Sequence, residues 1–251
     1  MPGGAHGTGD ADALSHALRS TSYAPPGSWN FPKAWLPGVN EALAVCAHPD
    51  DESFGLGGVL DALSTQGTRV RTLCFTHGEA SSLGKTTRPL GEVRAEELSA
   101  AAGVLGIDDV KLFSYPDGRL TQSPLAELAL LVDNAARSAD LLVVFDEGGI
   151  TGHPDHCHAT AAAVLAASSH RLPVLAWTVP ADIANQLNEE FNTTFVGRLT
   201  EEIDIVVTVN RNRQRAAIAC HASQSSENPV LWRRLELSGH DEHLRWLAHG
   251  Q

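Results

Sequence analysis

Short runs of apolar residues that alternate with helical patterns are the feature that most constrains how this chain can fold. The runs at 42–47 and 141–145 are continuously apolar, which is typical of strands buried on both faces of a parallel sheet. Further strands are predicted at 70–76, 110–113, 173–179 and 203–209, and helices at 57–66, 92–105, 124–137, 154–168 and 211–221. This alternation predicts a Rossmann-like, doubly wound α/β fold with a mainly parallel sheet and helices on both faces.

The order of these elements predicts one α/β domain over residues 41–251, and a chain of 251 residues can bury a sizeable core. After Pro229, amphipathic patterns around Trp232 and Trp246 predict a helical tail. The Trp and Leu residues of this tail are expected to dock on the domain, and the alternative is contact with a membrane surface or a lipidic substrate tail. Residues 1–40 are rich in Gly, Ser, Pro and Ala and are predicted to be a partly disordered extension.

Charge and cysteine content exclude several classes of protein. The formal net charge of -12 argues against a nucleic-acid partner, because phosphate binding needs a basic face. Cys46, Cys74, Cys157 and Cys220 form no CxxC pair, so a thiolate zinc site or a redox motif is not expected. No apolar stretch approaches the roughly 18 residues of a membrane span, and the first forty residues lack a signal-peptide core. We therefore expect a cytoplasmic protein, and the sequence carries no signal for its oligomeric state.

The first predicted strand runs directly into an acidic turn at 47–52. Keeping the carboxylates of Asp50, Asp51 and Glu52 beside the imidazole of His48 is costly without a cation. Imidazole nitrogen and carboxylate oxygen are common zinc ligands, and a tight turn can bring His48 and Asp51 to one ion while Asp50 points elsewhere. The alternative is a helix that begins with acidic residues because the helix dipole favours them there.

A second polar turn follows the predicted strand at 141–145. Pro154 is well placed as the first residue of a helix, so His153 and His156 fall on one side of the helix start. In an open parallel sheet, ligands bind just beyond the carboxyl ends of the strands, which is where both polar turns are predicted to lie. Together the two turns predict a metal site.

Six short motifs, in order, resemble those of the PIG-L / LmbE-like deacetylases. They are AHPDDE at 47–52, THGE at 76–79, RAEEL at 94–98, YPDG at 115–118, HPDH at 153–156 and HASQ at 221–224. The family includes N-acetylglucosaminyl-phosphatidylinositol deacetylases, deacetylases of the mycothiol and bacillithiol pathways, mycothiol-conjugate amidases and deacetylases of glycopeptide-antibiotic sugars. The resemblance covers about residues 42–224. It implies a metal-dependent amidohydrolase that removes acetate from an N-acetylglucosaminyl group and leaves a free amino sugar.

The resemblance also implies roles for individual residues. The ligands of one zinc ion per chain would be His48, Asp51 and His156, and iron(II) is an alternative metal for such a site. Asp50 would be the general base, and His153 would stabilise the oxyanion or protonate the leaving amine. Asp155 would orient a histidine that binds the metal. The residues implied at the substrate mouth are Arg94, Asp117, His221 and Gln224.

Two other classes of function stay open. Gly55, Gly57 and Gly58 form a degraded dinucleotide fingerprint in which Leu60 replaces the third glycine, and a nucleotide site leaves the acidic turn unexplained. A non-catalytic module that binds sugar or metal is the second alternative, although simple binding does not need both Asp50 and His153.

For the substrate, the sequence favours a glycosylated natural product such as a teicoplanin-type glycopeptide pseudoaglycone. The reason is that the aromatic N-terminal segment and the loop at 80–91 are suited to an open rim for a bulky aglycone. N-acetylglucosaminyl-inositol and a mycothiol conjugate are the alternative small-molecule substrates. Comparing acetate release from these compounds distinguishes them.

Overall fold

The computed structural model describes residues 35–84 and 86–250, and its centre is an eight-stranded sheet. The strands are β1 Glu41–Cys46, β2 Arg69–Thr76, β3 Asp109–Tyr115, β4 Leu141–Phe145, β5 Val174–Pro180, β6 Gly197–Arg198, β7 Ile205–Thr208 and β8 Asp241–Ala248. Their spatial order is β3-β2-β1-β4-β5-β8-β7, and β6 pairs with the end of β5. Strands β1 to β5 are parallel, whereas β8 runs antiparallel to β5 and β7. The predicted mainly parallel α/β fold is confirmed.

Helices cover both faces of this sheet. They are α1 Asp51–Phe54, α2 Gly57–Thr65, α3 Leu90–Leu105, α4 Leu125–Ala136, α5 Gly149–Gly152, α6 Pro154–His170, α7 Ala181–Phe191, α8 Arg211–Cys220, α9 Ala222–Ser225 and α10 Pro229–Ser238. Alternate residues of β1 enter different cores: Ala42 and Ala44 pack with α2 and α3, whereas Leu43 and Val45 pack with α4 and α6. Because β1 is buried on both faces, its sequence is apolar without interruption.

The end of the chain differs from the prediction of a tail with two helices. Trp232 lies on α10 as expected, but Trp246 lies in β8, which is inserted between β5 and β7. Glu242 and Leu244 are both buried, so burial alternates with the period of two that defines a strand. A short apolar pattern fits the period of a helix as well as that of a strand. The pairing of β8 with strands on both sides favours the extended form.

Helix α7 was not predicted from the sequence. Its sequence is mainly polar, and only Ala184 and Leu187 are buried. These two residues lie three apart, as on one face of a helix, but they are too few to stand out as a pattern in the sequence.

The described part of the predicted N-terminal extension packs on the domain. Leu36 is buried in the same core as α2 and α3, and the Trp35 amide donates a hydrogen bond to Oε1 of Gln66 at 3.1 Å. Residues 1–34, which carry most of the predicted extension, lie outside the described residues. The boundary at residue 40 therefore stays a prediction.

Cys46 and Cys74 are buried in the strands that were predicted to contain them. All four cysteines are unpaired, and burial raises the pKa of the Cys46 and Cys74 thiols. None of the helices in the described part of the chain is both long and apolar enough to span a membrane.

Sheet topology brings the two polar turns together. Strand β1 pairs in parallel with β4, with Ala44 opposite Val143, so the two strands end side by side. The chain leaves β1 into α1 and leaves β4 into α5 and α6. The site therefore forms at the carboxyl edge of the sheet, where the fold leaves room for a ligand.

Candidate active site

Three ligand-type atoms from the two turns converge at the carboxyl edge of the sheet. Nδ1 of His48 lies 3.1 Å from Nε2 of His156, and the same Nε2 lies 3.1 Å from Oδ1 of Asp51. Ligand atoms on one tetrahedral zinc ion, with bonds of about 2.0–2.2 Å, are separated by roughly 3.3–3.6 Å. The spacing in this cluster is therefore close to that of a zinc site.

The outer contacts of the two imidazoles turn one nitrogen of each ring towards the other. Nδ1 of His156 lies 3.0 Å from the carbonyl oxygen of Gly149, and because a carbonyl can only accept, this nitrogen carries the proton. Nε2 of His48 lies 3.0 Å from Oδ1 of Asp117 and 3.5 Å from Oδ2 of Asp155. Nδ1 of His48 and Nε2 of His156 therefore face each other beside Asp51, and a positive charge is favoured between them. Either a proton shared by the two rings or a metal ion can supply that charge.

Asp51 is held so that one oxygen remains for that cation. Its Oδ2 accepts hydrogen bonds from the amides of Ala47 and His48, both at 2.9 Å, and Oδ1 faces His156. Burial alone raises the pKa of Asp51, but the two histidines outweigh burial and bring the pKa below its ordinary value. The carboxylate is therefore ionised at neutral pH, as a metal ligand must be.

Without a bound cation, the surroundings of His48 favour a proton on its ring. Burial lowers the pKa of this imidazole, but contact with the Asp117 and Asp155 carboxylates overcomes burial and raises the pKa to about 10. Asp155 is itself fixed by the amides of Gly118 and Leu120, at 2.8 and 3.0 Å. Two carboxylates thus lie behind His48. From the sequence, only Asp155 is expected to orient a histidine, and Asp117 is expected at the substrate mouth; in the structure Asp117 both contacts His48 and lines the cleft.

His153 is a third imidazole beside the cluster. It precedes α6, and its Nδ1 accepts a hydrogen bond from the Asp155 amide at 3.2 Å, so Nε2 carries the proton of the neutral ring. One ligand atom from each of His48, His153 and His156 lies within 4.8 Å of the others. Burial, followed by the other two histidines, lowers the pKa of His153, which favours a neutral side chain with an N–H donor.

Asp50 occupies a strained turn between the ligand-type residues. Its φ of 121° is rare for a residue other than glycine, and such strain clusters at functional sites. Its amide donates to Oε2 of Glu52 at 3.0 Å, and Oδ2 lies 3.0 Å from Nη2 of Arg94. Arg94 also donates to the carbonyl oxygens of Pro49 and Gly78. Burial raises the pKa of Asp50 to about 6, while Arg94 opposes the rise.

The residues implied at the substrate mouth have different surroundings. Gln224 lines the cleft, and its Oε1 accepts a hydrogen bond from Oγ of Ser81 at 2.7 Å. Arg94 also borders the cleft, although it is held by Asp50. His221 does not fit a substrate contact, because its side chain is fully buried and its Nε2 lies 2.6 Å from Oε1 of Glu52. The motif alone does not show which way this imidazole faces.

A cleft of about 590 Å³ opens from the histidine cluster. This volume lies within the range of about 300–1,000 Å³ that is usual for ligand pockets. Apolar side chains form much of the wall, namely Phe54, Leu83, Phe145, Ile150, Trp177, Phe195, Val230 and Leu231. Leu83 belongs to the predicted rim loop at 80–91 and Leu231 to the predicted tail, whereas the other six had no predicted site role. They come from separated segments, so spacing along the chain gives no signal that they meet.

Comparison with known proteins identifies the family of sugar N-deacetylases. Residues 43–168 match the family described as PIG-L, GlcNAc-PI de-N-acetylase. The 1D-myo-inositol 2-acetamido-2-deoxy-alpha-D-glucopyranoside deacetylase of Nakamurella multipartita is 31% identical over an alignment of 235 positions, gaps included, that covers 72% of this chain and 78% of the relative. The chain therefore belongs to the PIG-L deacetylase family.

Solved structures with the same fold support the architecture. The A40926 pseudoaglycone deacetylase Dbv21 superposes with a TM-score of 0.65 at 18% identity, covering 84% of this chain and 99% of that one. The 4-carboxy-2-hydroxymuconate hydratase GalB of Pseudomonas putida KT2440 gives a TM-score of 0.64 at 18% identity, covering 83% and 96%. At this identity the likeness shows the fold alone. One of these neighbours is a hydratase, so the reaction has to be argued from the site.

Proposed function

We propose that this chain is a zinc-dependent amidohydrolase that removes the acetyl group from an N-acetylglucosaminyl group. The observation that carries the proposal is the convergence of Nδ1 of His48, Nε2 of His156 and Oδ1 of Asp51. This nitrogen and oxygen donor set suits one zinc ion per chain and is also compatible with iron(II). A zinc ion held there supplies Lewis-acid chemistry for amide hydrolysis.

The remaining polar groups supply the proton transfers. Asp50 accepts a proton as the water oxygen bonds to the acetyl carbon, and Arg94 holds the Asp50 carboxylate in place. The N–H of His153 stabilises the negative charge that develops on the acetyl oxygen. When the carbon–nitrogen bond breaks, the departing nitrogen takes the proton that Asp50 accepted from water, directly or through His153, and the products are acetate and an amino sugar. Pairing a base with an N–H donor in this way distinguishes a catalyst from a simple binding module.

For the aglycone, our first candidate is a glycosylated natural product such as a glycopeptide pseudoaglycone. Support comes from the largely apolar wall of the cleft and from residues 80–83, which border it. The second candidate is N-acetylglucosaminyl-inositol, because the Nakamurella relative at 31% identity is named for that substrate. Comparing acetate release from the two compounds tests which candidate is the substrate. Faster turnover of the inositol sugar makes N-acetylglucosaminyl-inositol the first candidate.

Metal content and acetate release test the proposal together. We expect about one zinc per chain, loss of acetate release after chelation, and recovery when zinc is added back. The variants His48→Ala and Asp51→Ala are expected to lose both metal and activity. His170→Ala is the matched control, because this imidazole is exposed and pairs with Asp133. Full activity of either ligand variant after metal removal contradicts the proposal, and a zinc-loaded protein inert towards every N-acetylated amino sugar favours a binding module.

A further inference from the structure

Arg234 differs from the other buried arginines of the described chain. Four arginines are buried, namely Arg71, Arg94, Arg211 and Arg234. The first three form ion pairs with Glu41, Asp50 and Glu242, respectively. Arg234 is only 4% exposed, yet it forms no ion pair with a carboxylate of the described residues. Because a buried charge is costly without a partner, this guanidinium needs a further explanation.

The guanidinium of Arg234 is held firmly while most of its donors stay uncommitted. Its Cζ lies 5.0 Å from the ring centre of Trp177, and its Nη2 donates to the carbonyl oxygen of Phe54. Nη1 has no hydrogen-bond partner among the described residues. A guanidinium offers five N–H donors in a rigid plane, so donors remain for a ligand.

The surroundings of Arg234 carry surplus positive charge. Glu242 is the nearby carboxylate, but it already accepts hydrogen bonds from Arg211 and from Nε1 of Trp177. Two buried cations therefore share one buried anion. Burial lowers the pKa of Arg234 to about 10, so the side chain stays protonated at neutral pH. An additional anion would balance this charge.

Arg234 lies in the wall of the same cleft as the histidine cluster. Its two contact residues, Phe54 and Trp177, border that cleft as well. A purely structural role, in which Arg234 props up the Phe54 carbonyl, uses one donor and gives no reason for the surplus charge. A planar guanidinium with free N–H groups is suited to bidentate binding of a carboxylate or a phosphate.

We propose that Arg234 is the anion-binding residue of the substrate cleft, so the preferred N-acetylglucosaminide carries a carboxylate or phosphate on its aglycone. This inference rests on the proposed deacetylase function and adds the chemical class of the substrate. An enzyme with this anion site prefers acidic aglycones over neutral ones, whatever the size of the aglycone.

Acetate release from matched substrates tests this specificity. The substrates are phenyl N-acetylglucosaminide and its 4-carboxy and 4-phosphate derivatives, each in both anomeric forms. We expect kcat/KM to be about 10- to 100-fold higher for at least one anionic derivative, mainly through a lower KM, as for a charge-assisted hydrogen bond. The derivative with the larger increase in kcat/KM shows whether a carboxylate or a phosphate is preferred. Equal kcat/KM values for neutral and anionic substrates overturn the inference.

Variants connect this preference to one side chain. Arg234→Gln is expected to bring the ratio of anionic to neutral kcat/KM close to one, and Arg234→Lys to retain part of it. Arg233→Gln is the matched control, because Arg233 is the next residue on α10 and pairs with Glu190 and Glu236 outside the cleft. A ratio that stays unchanged in Arg234→Gln overturns the assignment.

Direct binding keeps the anion site testable without turnover. Calorimetric titration of the zinc-loaded wild type and of zinc-loaded Arg234→Gln with benzoate and phenyl phosphate is expected to show saturable binding to the wild type, weakened by added salt and at least about 10-fold weaker in the variant. Absence of binding, or equal binding by the variant, overturns the anion site, because equal binding means that the anion contacts the metal. Arg234-dependent binding in a protein that releases no acetate from any substrate supports the anion site and counts against the proposed function alone.

Discussion

Replacing Glu52 by alanine is expected to destabilise the protein more than any exposed carboxylate replacement. The Glu52 side chain is fully buried and receives three hydrogen bonds: from the Asp50 amide at 3.0 Å, from the Ser53 hydroxyl at 2.6 Å and from Nε2 of His221 at 2.6 Å. The serine hydroxyl can rotate to another acceptor, but the amide and the imidazole cannot. Two fixed donors left without partners cost about 1–3 kcal/mol each, which gives a loss of about 4 kcal/mol.

Glu52→Gln is expected to be milder and to separate folding from catalysis. Glutamine keeps one oxygen for the Asp50 amide, so we expect a stability loss below about 2 kcal/mol. The loss of charge still loosens the strained turn at Asp50, where φ is 121°. We therefore expect kcat to fall while the protein stays folded. An acetate-release assay on the zinc-loaded variant measures this effect.

Urea unfolding followed by tryptophan fluorescence measures the stability change. A chelator is included, because metal bound to the folded state adds stability of its own. Glu190→Ala is the control, since this carboxylate is exposed and pairs with Arg233 at the surface, and its unfolding midpoint is expected to stay unchanged. If Glu52→Ala unfolds at the urea concentration of the wild type, the buried network does not stabilise the turn and the reasoning fails.

Three further replacements probe other parts of the molecule. Asp50→Asn is expected to keep its metal and lose about 10²–10⁴-fold in kcat; an unchanged rate removes Asp50 from the mechanism. Asp117→Asn is expected to weaken zinc affinity about 10–100-fold in a chelator competition, because His48 loses a partner, and equal affinity contradicts that role. Burial raises the pKa of Asp146, but the Arg198 hydrogen bond outweighs burial, so the pKa lies below its ordinary value. Asp146→Asn should therefore cost about 2 kcal/mol in urea unfolding at pH 7, and this difference should shrink as pH falls below about 4; a constant difference refutes the ion pair.

The buried parallel strands were predictable because burial on both faces leaves a strong compositional signal. The prediction at 141–145 coincides with β4, and the other parallel strands differ from prediction at their ends or, for β3, by a few residues. Strand β8 was missed because its short apolar pattern fits a helix as well as a strand, and only its pairing with β5 and β7 decides between them. Helix α7 was missed because two buried apolar residues do not form a readable pattern.

The position of the site could be predicted from the sequence, but the directions in which some of its side chains point could not. His48, Asp51, His153 and His156 were expected to meet where two turns adjoin, and they lie together in the structure. Their roles stay predictions. Motif order did not reveal that Asp117 faces His48 or that His221 is buried against Glu52, because such orientations depend on tertiary packing.

The insertion of β8 between β5 and β7 has a consequence for synthesis on the ribosome. Strand β7 emerges before the strand that joins it to the sheet, so β5 presents an open edge until residues 241–248 have left the exit tunnel. Open edges are templates for aggregation. A nascent chain stalled before Asp241 therefore exposes an unpaired strand edge and is prone to aggregate until β8 is made and pairs with it.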